Sequence, residues 1–193
     1  MEDWAHQTRA VEDVEGGIAR GCRRQCLVSP TGGGKTRIMC NLIDLWTDQG
    51  LKTALYTNRK LLVRQTSRVM AAHGIDHGMR AAGYSDGEIF SPVQVCSLQT
   101  EESRVFRRGT WELHDADRVI IDEAHSQKVC AELIKTLFND SKGEHHVSRN
   151  GRDYFYDPRF HCVIFASNRT LDAALEGRCY KQQLVPYSRS EKI

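Results

Sequence analysis

The sequence predicts an α/β domain with a mostly parallel sheet and helices on both of its faces. Three observations carry that expectation. Short apolar runs alternate with longer segments of helical period along most of the chain. A glycine triplet, Gly32-Gly33-Gly34, separates one such run from one such segment, and a second run ends in two consecutive carboxylates, Asp122-Glu123.

Each element follows from a local pattern. Residues 4–19 read as a helix with Trp4, Val11, Val14 and Ile18 on one face and Gly21 ending it. Cys26-Leu27-Val28 is a short strand stopped by Ser29-Pro30. In residues 35–49 the apolar side chains Ile38, Met39, Leu42, Ile43 and Trp46 recur at helical spacing, and Gly50 lies just beyond. The alternation continues with a strand at 53–57, a helix at 60–73 closed by Gly74, and strands at 93–97 and 118–122. A helix at 129–138 and a strand at 162–166 complete it. The polar, turn-rich stretch 139–159 reads as a long loop, with His145-His146 on its surface.

Composition excludes several classes. The 193 residues suffice for one α/β domain with a buried core. Lys+Arg number 27 against 25 Asp+Glu, a formal charge of +2, so affinity for a polyanion cannot come from bulk charge and needs a local groove. Seven cysteines, scattered and without a Cys-x-x-Cys pair, argue for reduced thiols and a cytoplasmic setting. No zinc-ligand spacing is met by His145, His146, His161 and Cys162. Met1-Glu2-Asp3-Trp4 is acidic where a signal peptide is basic, and no apolar run reaches the ~20 residues of a membrane span, so no membrane association is expected.

Two motifs carry chemistry. Ser29-Pro30-Thr31-Gly32-Gly33-Gly34-Lys35-Thr36 lies between a strand and a helix, where backbone N–H groups converge at a helix N-terminus and cradle polyphosphate. Thr31, Gly32, Gly33 and Gly34 would line that cradle, Lys35 would reach the β- and γ-phosphates, and the Thr36 hydroxyl would ligate Mg²⁺. The strict pattern has glycine where this chain has Ser29. Val119-Ile120-Ile121-Asp122-Glu123-Ala124-His125 places two carboxylates at the end of an apolar strand, the edge at which open α/β sheets bind ligands. Asp122 would hold Mg²⁺ and Glu123 would orient and deprotonate an attacking water. Read alone, the two acids could equally cap the next helix.

Together, Gly-x-Gly-Lys-Thr and Asp-Glu-Ala-His resemble the first RecA-like lobe of superfamily 2 helicases, in their DEAH-type and restriction-subunit-like branch. That resemblance runs from about Trp4 to His125, and a serine at the start of the loop is ordinary there. It implies a three-layer P-loop NTPase fold, use of ATP with Mg²⁺, and a nucleic-acid partner, DNA in preference to RNA. It gives His125 the task of coupling the nucleotide site to the nucleic-acid side. Gln7 resembles the upstream glutamine that bonds the adenine, although a helix glutamine is otherwise a solvated residue. Thr57-Asn58-Arg59 and the segment Ser97-Leu98-Gln99-Thr100 resemble the contacts to the nucleic-acid backbone; Ser97, Gln99 and Thr100 carry the polar groups there, which also suit ordinary helix caps. Arg104, Arg107 and Arg108 would flank such a track or form a solvated face.

Two departures qualify the expected activity. The family places Ser/Thr-Ala-Thr after the fifth strand, where this chain has Ala166-Ser167-Asn168. Residues 1–193 are expected to form a single lobe, with the second RecA-like lobe and its arginine finger absent, so turnover by this lobe alone would be weak. A non-hydrolysing nucleotide-dependent clamp, or half of a split helicase completed by a separate second lobe, is the alternative reading. A small-molecule P-loop kinase is a third, against which the Asp-Glu-Ala-His strand speaks.

Overall fold

The computed structural model of the chain describes residues 4–29, 32–58, 60–84, 91–122, 145–149, 152–156, 162–167 and 180–183. Its elements in chain order begin with α1 (Ala5–Ala19), β1 (Arg24–Val28), α2 (Lys35–Asp48), β2 (Thr53–Thr57) and α3 (Lys60–Ala72). Next come β3 (Gly78–Arg80), β4 (Val93–Ser97), the short α4 (Leu98–Glu101) and a π-helical turn at Glu102–Arg107. The chain then forms β5 (Arg118–Asp122), β6 (His145–Arg149), β7 (Arg152–Tyr156), β8 (Cys162–Ser167) and β9 (Tyr180–Gln183).

Seven of these strands make one sheet in the order β3-β4-β2-β5-β8-β1-β9, and every pairing in it is parallel. From β1 the chain crosses to β2 past β8 and β5, whereas the return from β4 to β5 runs the opposite way. Right-handed crossovers therefore carry α2 and α3 over one face and the α4 connection over the other. Such a reversal opens a crevice at the carboxyl ends of the strands, where ligands bind.

The core explains why these segments chose their states. Every residue of β2 and of β4 is buried, the polar Thr53, Thr57, Gln94 and Ser97 included, as in strands covered on both faces. Ile38, Met39, Leu42, Ile43 and Trp46 of α2 pack with Ala10 and Val14 of α1 and Val63 and Met70 of α3. The fully buried Trp46 spends its one donor on Glu15 of α1, with Nε1 2.7 Å from Oε1, which ties the first two helices together. Gly17 stands in the last turn of α1 for a packing reason. The fully buried Gln25 of β1 fills the space a Cβ would need and donates from Nε2 to the Val14 carbonyl at 2.9 Å.

The structure corrects the sequence reading in four places. The buried stripe of α1 is Gln7, Ala10, Val14 and Gly17, and Trp4 is 52% exposed rather than part of the apolar face. Within the stretch read as a long loop, β6 and β7 form a two-stranded antiparallel sheet that takes in His145 and His146. Arg149 pairs with Arg152, and the two residues between them in sequence are Asn-Gly, the pair that suits a tight hairpin. The short β3 and the edge strand β9 also join the sheet, each too short or too polar to stand out. The helix expected at 129–138 lies outside the described residues.

Among the described residues Cys22, Cys26, Cys40 and Cys96 form no disulfide, and no helix is long and apolar enough to cross a membrane. Burial pushes the Cys40 thiol up to about 11, which keeps it protonated and unreactive.

Candidate nucleotide site

The site is assembled at the carboxyl edge of the parallel sheet. β1 ends at Val28 and passes into the buried Ser29; Gly32 and Gly34 both take positive φ, +81° and +74°. Gly34 is the N-cap of α2 in the left-handed conformation, a geometry that costs a residue with a Cβ about 1–2 kcal/mol. Its carbonyl accepts the Ile38 N–H at 3.1 Å, so the helix starts at Lys35. The first-turn N–H groups of a helix have no partners within it and point outward from its positive end.

Lys35 and Asp122 meet here. Lys35 Nζ lies 3.1 Å from Asp122 Oδ1, with the two side chains only 17% and 10% exposed. The sheet order produces this contact. β8 lies between β1 and β5, with Ser167 opposite Val28 and Ala166 opposite Asp122, so the ends of the three strands are level. A lysine at the start of α2 can then reach an aspartate at the end of β5.

The N-terminus of α1 covers the glycine turn from the other side. The His6 imidazole lies with Nε2 3.0 Å from the Gly33 carbonyl oxygen, and its ring is tilted 47° against Trp4 at 5.5 Å between centroids. Gln7 is buried, and its Oε1 accepts the Trp4 N–H at 3.0 Å, which fixes the start of the helix. Its amide nitrogen occupies the space where a Cβ on Gly34 would stand. Sequence reasoning found Gln7 and missed His6, whose signal was only its place beside that glutamine.

The candidate nucleic-acid residues fall on adjacent strand ends. Thr57 of β2 is in register with Ser97 of β4, so Thr57-Asn58 and the segment 97–100 form one stretch of the sheet edge. Thr57, Asn58, Ser97 and Thr100 are buried, and Gln99 is exposed. The Thr100 hydroxyl oxygen accepts the Ala82 N–H at 3.2 Å, anchoring α4 to the turn after β3. Thr31, Arg59, Glu123 and His125 lie outside the described residues.

The donor set suits a small hard cation. The hydroxyl of Thr36 and the carboxylate of Asp122 would offer hard oxygen donors, and Mg²⁺ takes few protein oxygens and keeps the rest for phosphate and water. Among the described residues no cluster of three or more His, Cys, Asp or Glu side chains could hold a metal by itself.

Comparison with known proteins agrees with this architecture. The chain is 27% identical over 125 residues to UvrABC system protein B of Gemmatimonas aurantiaca, a match covering 60% of this chain and 17% of that protein. The UvsW helicase of bacteriophage T4 superposes with a TM-score of 0.67 at 16% identity, over 95% of this chain and 61% of that one. The SWI2/SNF2 ATPase core of Sulfolobus solfataricus, solved with double-stranded DNA, gives 0.65 at 11% identity over 91% and 34%. The type ISP restriction-modification enzyme LlaGI, solved with a DNA substrate mimic, gives 0.62 at 14% identity over 96% and 20%. The chain therefore spans less than two thirds of each of these relatives. The family model described as the res subunit of type III restriction enzymes matches residues 1–155, most of the chain. With that match over most of its length, and a parallel sheet shared with these structures, the chain belongs to the type III restriction enzyme res-subunit family.

Proposed function

We propose that this lobe binds ATP with Mg²⁺ at the Lys35–Asp122 edge, hydrolyses it, and couples the site to DNA held along the ends of β2 and β4. The observation that carries the reading is the 3.1 Å contact between the glycine-loop lysine and the aspartate closing β5. The lysine's positive charge, turned toward an arriving polyphosphate, would exchange the aspartate for the β- and γ-phosphates. The carboxylate it leaves would then be open to the cation. Thr36 and Asp122 hold Mg²⁺, which on binding would neutralise charge building on the phosphates.

The glycine turn lets backbone N–H groups approach the phosphates, with Thr31 completing it, and Gln7 is poised beside Gly34 for the base end of the nucleotide. Glu123 is the base that orients and deprotonates the attacking water, and His125 carries the state of the site to the nucleic-acid side. Thr57, Asn58, Arg59, Ser97, Gln99 and Thr100 form the DNA track, with the exposed Gln99 offering a side chain and the buried Thr57, Asn58, Ser97 and Thr100 shaping the edge beneath it. DNA is preferred because LlaGI and the SWI2/SNF2 core were each solved with DNA or a DNA mimic. A second lobe, supplied by further sequence or by another chain, would bring the arginine finger. Residues 1–193 would make one such lobe, working in the cytoplasm.

The test is ATP turnover with and without DNA, for the wild type and Glu123→Gln. Slow turnover that DNA stimulates and the substitution abolishes is the expected result. Turnover that survives Glu123→Gln overturns the assignment of the base. Intact ATP binding with no turnover, even when a second lobe is supplied, favours a nucleotide-dependent clamp instead.

A further inference from the structure

The connection from β4 to β5 contains a built feature that the nucleotide site does not use. Directly after Gln99-Thr100 the chain leaves α4 through the π-helical turn Glu102–Arg107, closed by the Arg108 N–H donating to the Ser103 carbonyl at 3.0 Å. The Arg104 carbonyl then collects the Thr110 N–H at 2.8 Å and the Trp111 N–H at 3.3 Å, so residues 104–111 form a closed hook. π-Turns of this kind are rare and concentrate where a fold needs a particular presentation.

Both ends of the hook are pinned by one buried arginine. Arg80, at the carboxyl end of β3, donates from Nε to Glu101 Oε1 at 2.7 Å and from Nη2 to Glu101 Oε2 at 3.2 Å. The same Nη2 donates to the Glu112 carbonyl at 2.6 Å, beyond the far end of the hook. Two guanidinium groups lie over the Trp111 ring, Arg80 at 5.0 Å and Arg104 at 4.2 Å from its centroid. Arg80 and Glu101 are 4% and 0% exposed. A buried ion pair seldom repays its desolvation as stability, and fixing one geometry is its better-attested use.

That geometry carries Arg107, Arg108, Gly109 and Thr110 outward, all exposed, immediately beyond the exposed Gln99. Residues 102–110 hold three arginines against the single acid Glu102, which pairs with Arg107 at 2.7 Å. We infer that this hook is a further contact for a nucleic-acid phosphate backbone, extending the track from Gln99 through Arg107 and Arg108. The inference rests on the proposed function and adds an extension of that track to it. Phosphodiester oxygens fit because guanidinium groups bind them without reading sequence, and because the hook continues directly from the short helix that carries Gln99.

The test measures the affinity of the full chain for a labelled single-stranded DNA oligonucleotide across a range of salt, with the matching RNA as a second arm. Arg107→Ala/Arg108→Ala is compared with Arg20→Ala/Arg23→Ala, an equal loss of exposed charge at the opposite end of the sheet. The hook variant should make the slope of log affinity against log salt shallower by about 1.4, two contacts at about 0.7 each, and the control should leave it unchanged. Glu102→Gln, which releases Arg107, should tighten binding, while Asp115→Asn, an equal charge change at the far edge, should not. Equal slopes for the hook variant and the wild type, or equal losses in hook and control, overturn the inference while leaving the track at 57–59 and 97–100 standing. A wild type that binds neither DNA nor RNA overturns the proposed function itself.

Discussion

Lys35 and Asp122 are joined by a 3.1 Å contact that exists only because β8 separates β1 from β5 and holds their ends level. The lysine opens α2 and the aspartate closes β5, so each is fixed by the end of an element rather than by a mobile loop. Asp122→Asn keeps the volume and removes the charge that a cation needs. ATP affinity measured with Mg²⁺ and with a chelator should then become nearly equal, whereas in the wild type Mg²⁺ strengthens it. A variant that keeps its full Mg²⁺ dependence would remove Asp122 from the metal site.

Gly34 is constrained twice, by its φ of +74° and by the Gln7 amide lying where its Cβ would go. Gly34→Ala should therefore lower the melting temperature and weaken nucleotide binding. Adding Gln7→Ala removes the collision but leaves the left-handed strain, about 1–2 kcal/mol. The double variant should regain part of the lost stability in urea denaturation and not all of it. Full recovery would show that the backbone conformation is not required.

How much of this was legible depended on what each residue's state rests on. β2, β4 and β5 each hold an apolar centre that marked them in sequence, since a strand covered on both faces buries its middle residues, while polar residues such as Thr53, Thr57, Ser97 and Asp122 stand at their ends. β3, three residues containing an arginine, has no such signal; its place comes from pairing with β4 and from the buried partner of Arg80. The β6–β7 hairpin is polar, and its trace in the sequence was the Asn-Gly pair. The structure brings Lys35 and Asp122 together, and both were singled out in sequence because a glycine-loop lysine and a strand-end aspartate stand in motifs of fixed residue type and spacing. The contact of His6 with Gly33 and the latch of Arg80 on Glu101 join residues far apart in the chain through tertiary packing, which no local pattern records.

The Arg80–Glu101 pair makes a stability prediction independent of any ligand. Burial pushes the Glu101 carboxyl up, against the pull of the Arg80 guanidinium, so the charged pair persists only while both partners are present. Arg80→Met or Glu101→Gln alone should cost about 3–5 kcal/mol by leaving one buried charge uncompensated. Arg80→Met/Glu101→Met, apolar at both positions, should return most of that in chemical denaturation. Costs near zero for the single variants would mean that water reaches the pair.

His114 gives the fold a dependence on acid. The side chain is buried beside the Ser91 carbonyl, with Nε2 3.4 Å from that oxygen. Burial foremost, with Arg80 and Lys52 nearby, holds its pKa below the ordinary 6.5, against the opposing pull of the Ser91 carbonyl and Asp115. The unfolded chain thus binds the proton more readily, and the stability His114 contributes is complete above 6.5 and is lost as pH falls toward the depressed folded value. Between about pH 7 and pH 5, His114→Gln should show a flatter loss of stability than the wild type. Parallel curves would mean that His114 titrates normally.

The central claim is that Lys35 binds the phosphates of ATP, and equilibrium titration of the wild type and Lys35→Ala with ATP in Mg²⁺ tests it most directly. A charge-assisted contact of about 1.5–3 kcal/mol predicts affinity about 10- to 150-fold weaker in the variant, with the fold intact by circular dichroism. Equal affinity in the two proteins would contradict the account and place the nucleotide, if one binds, elsewhere on the molecule.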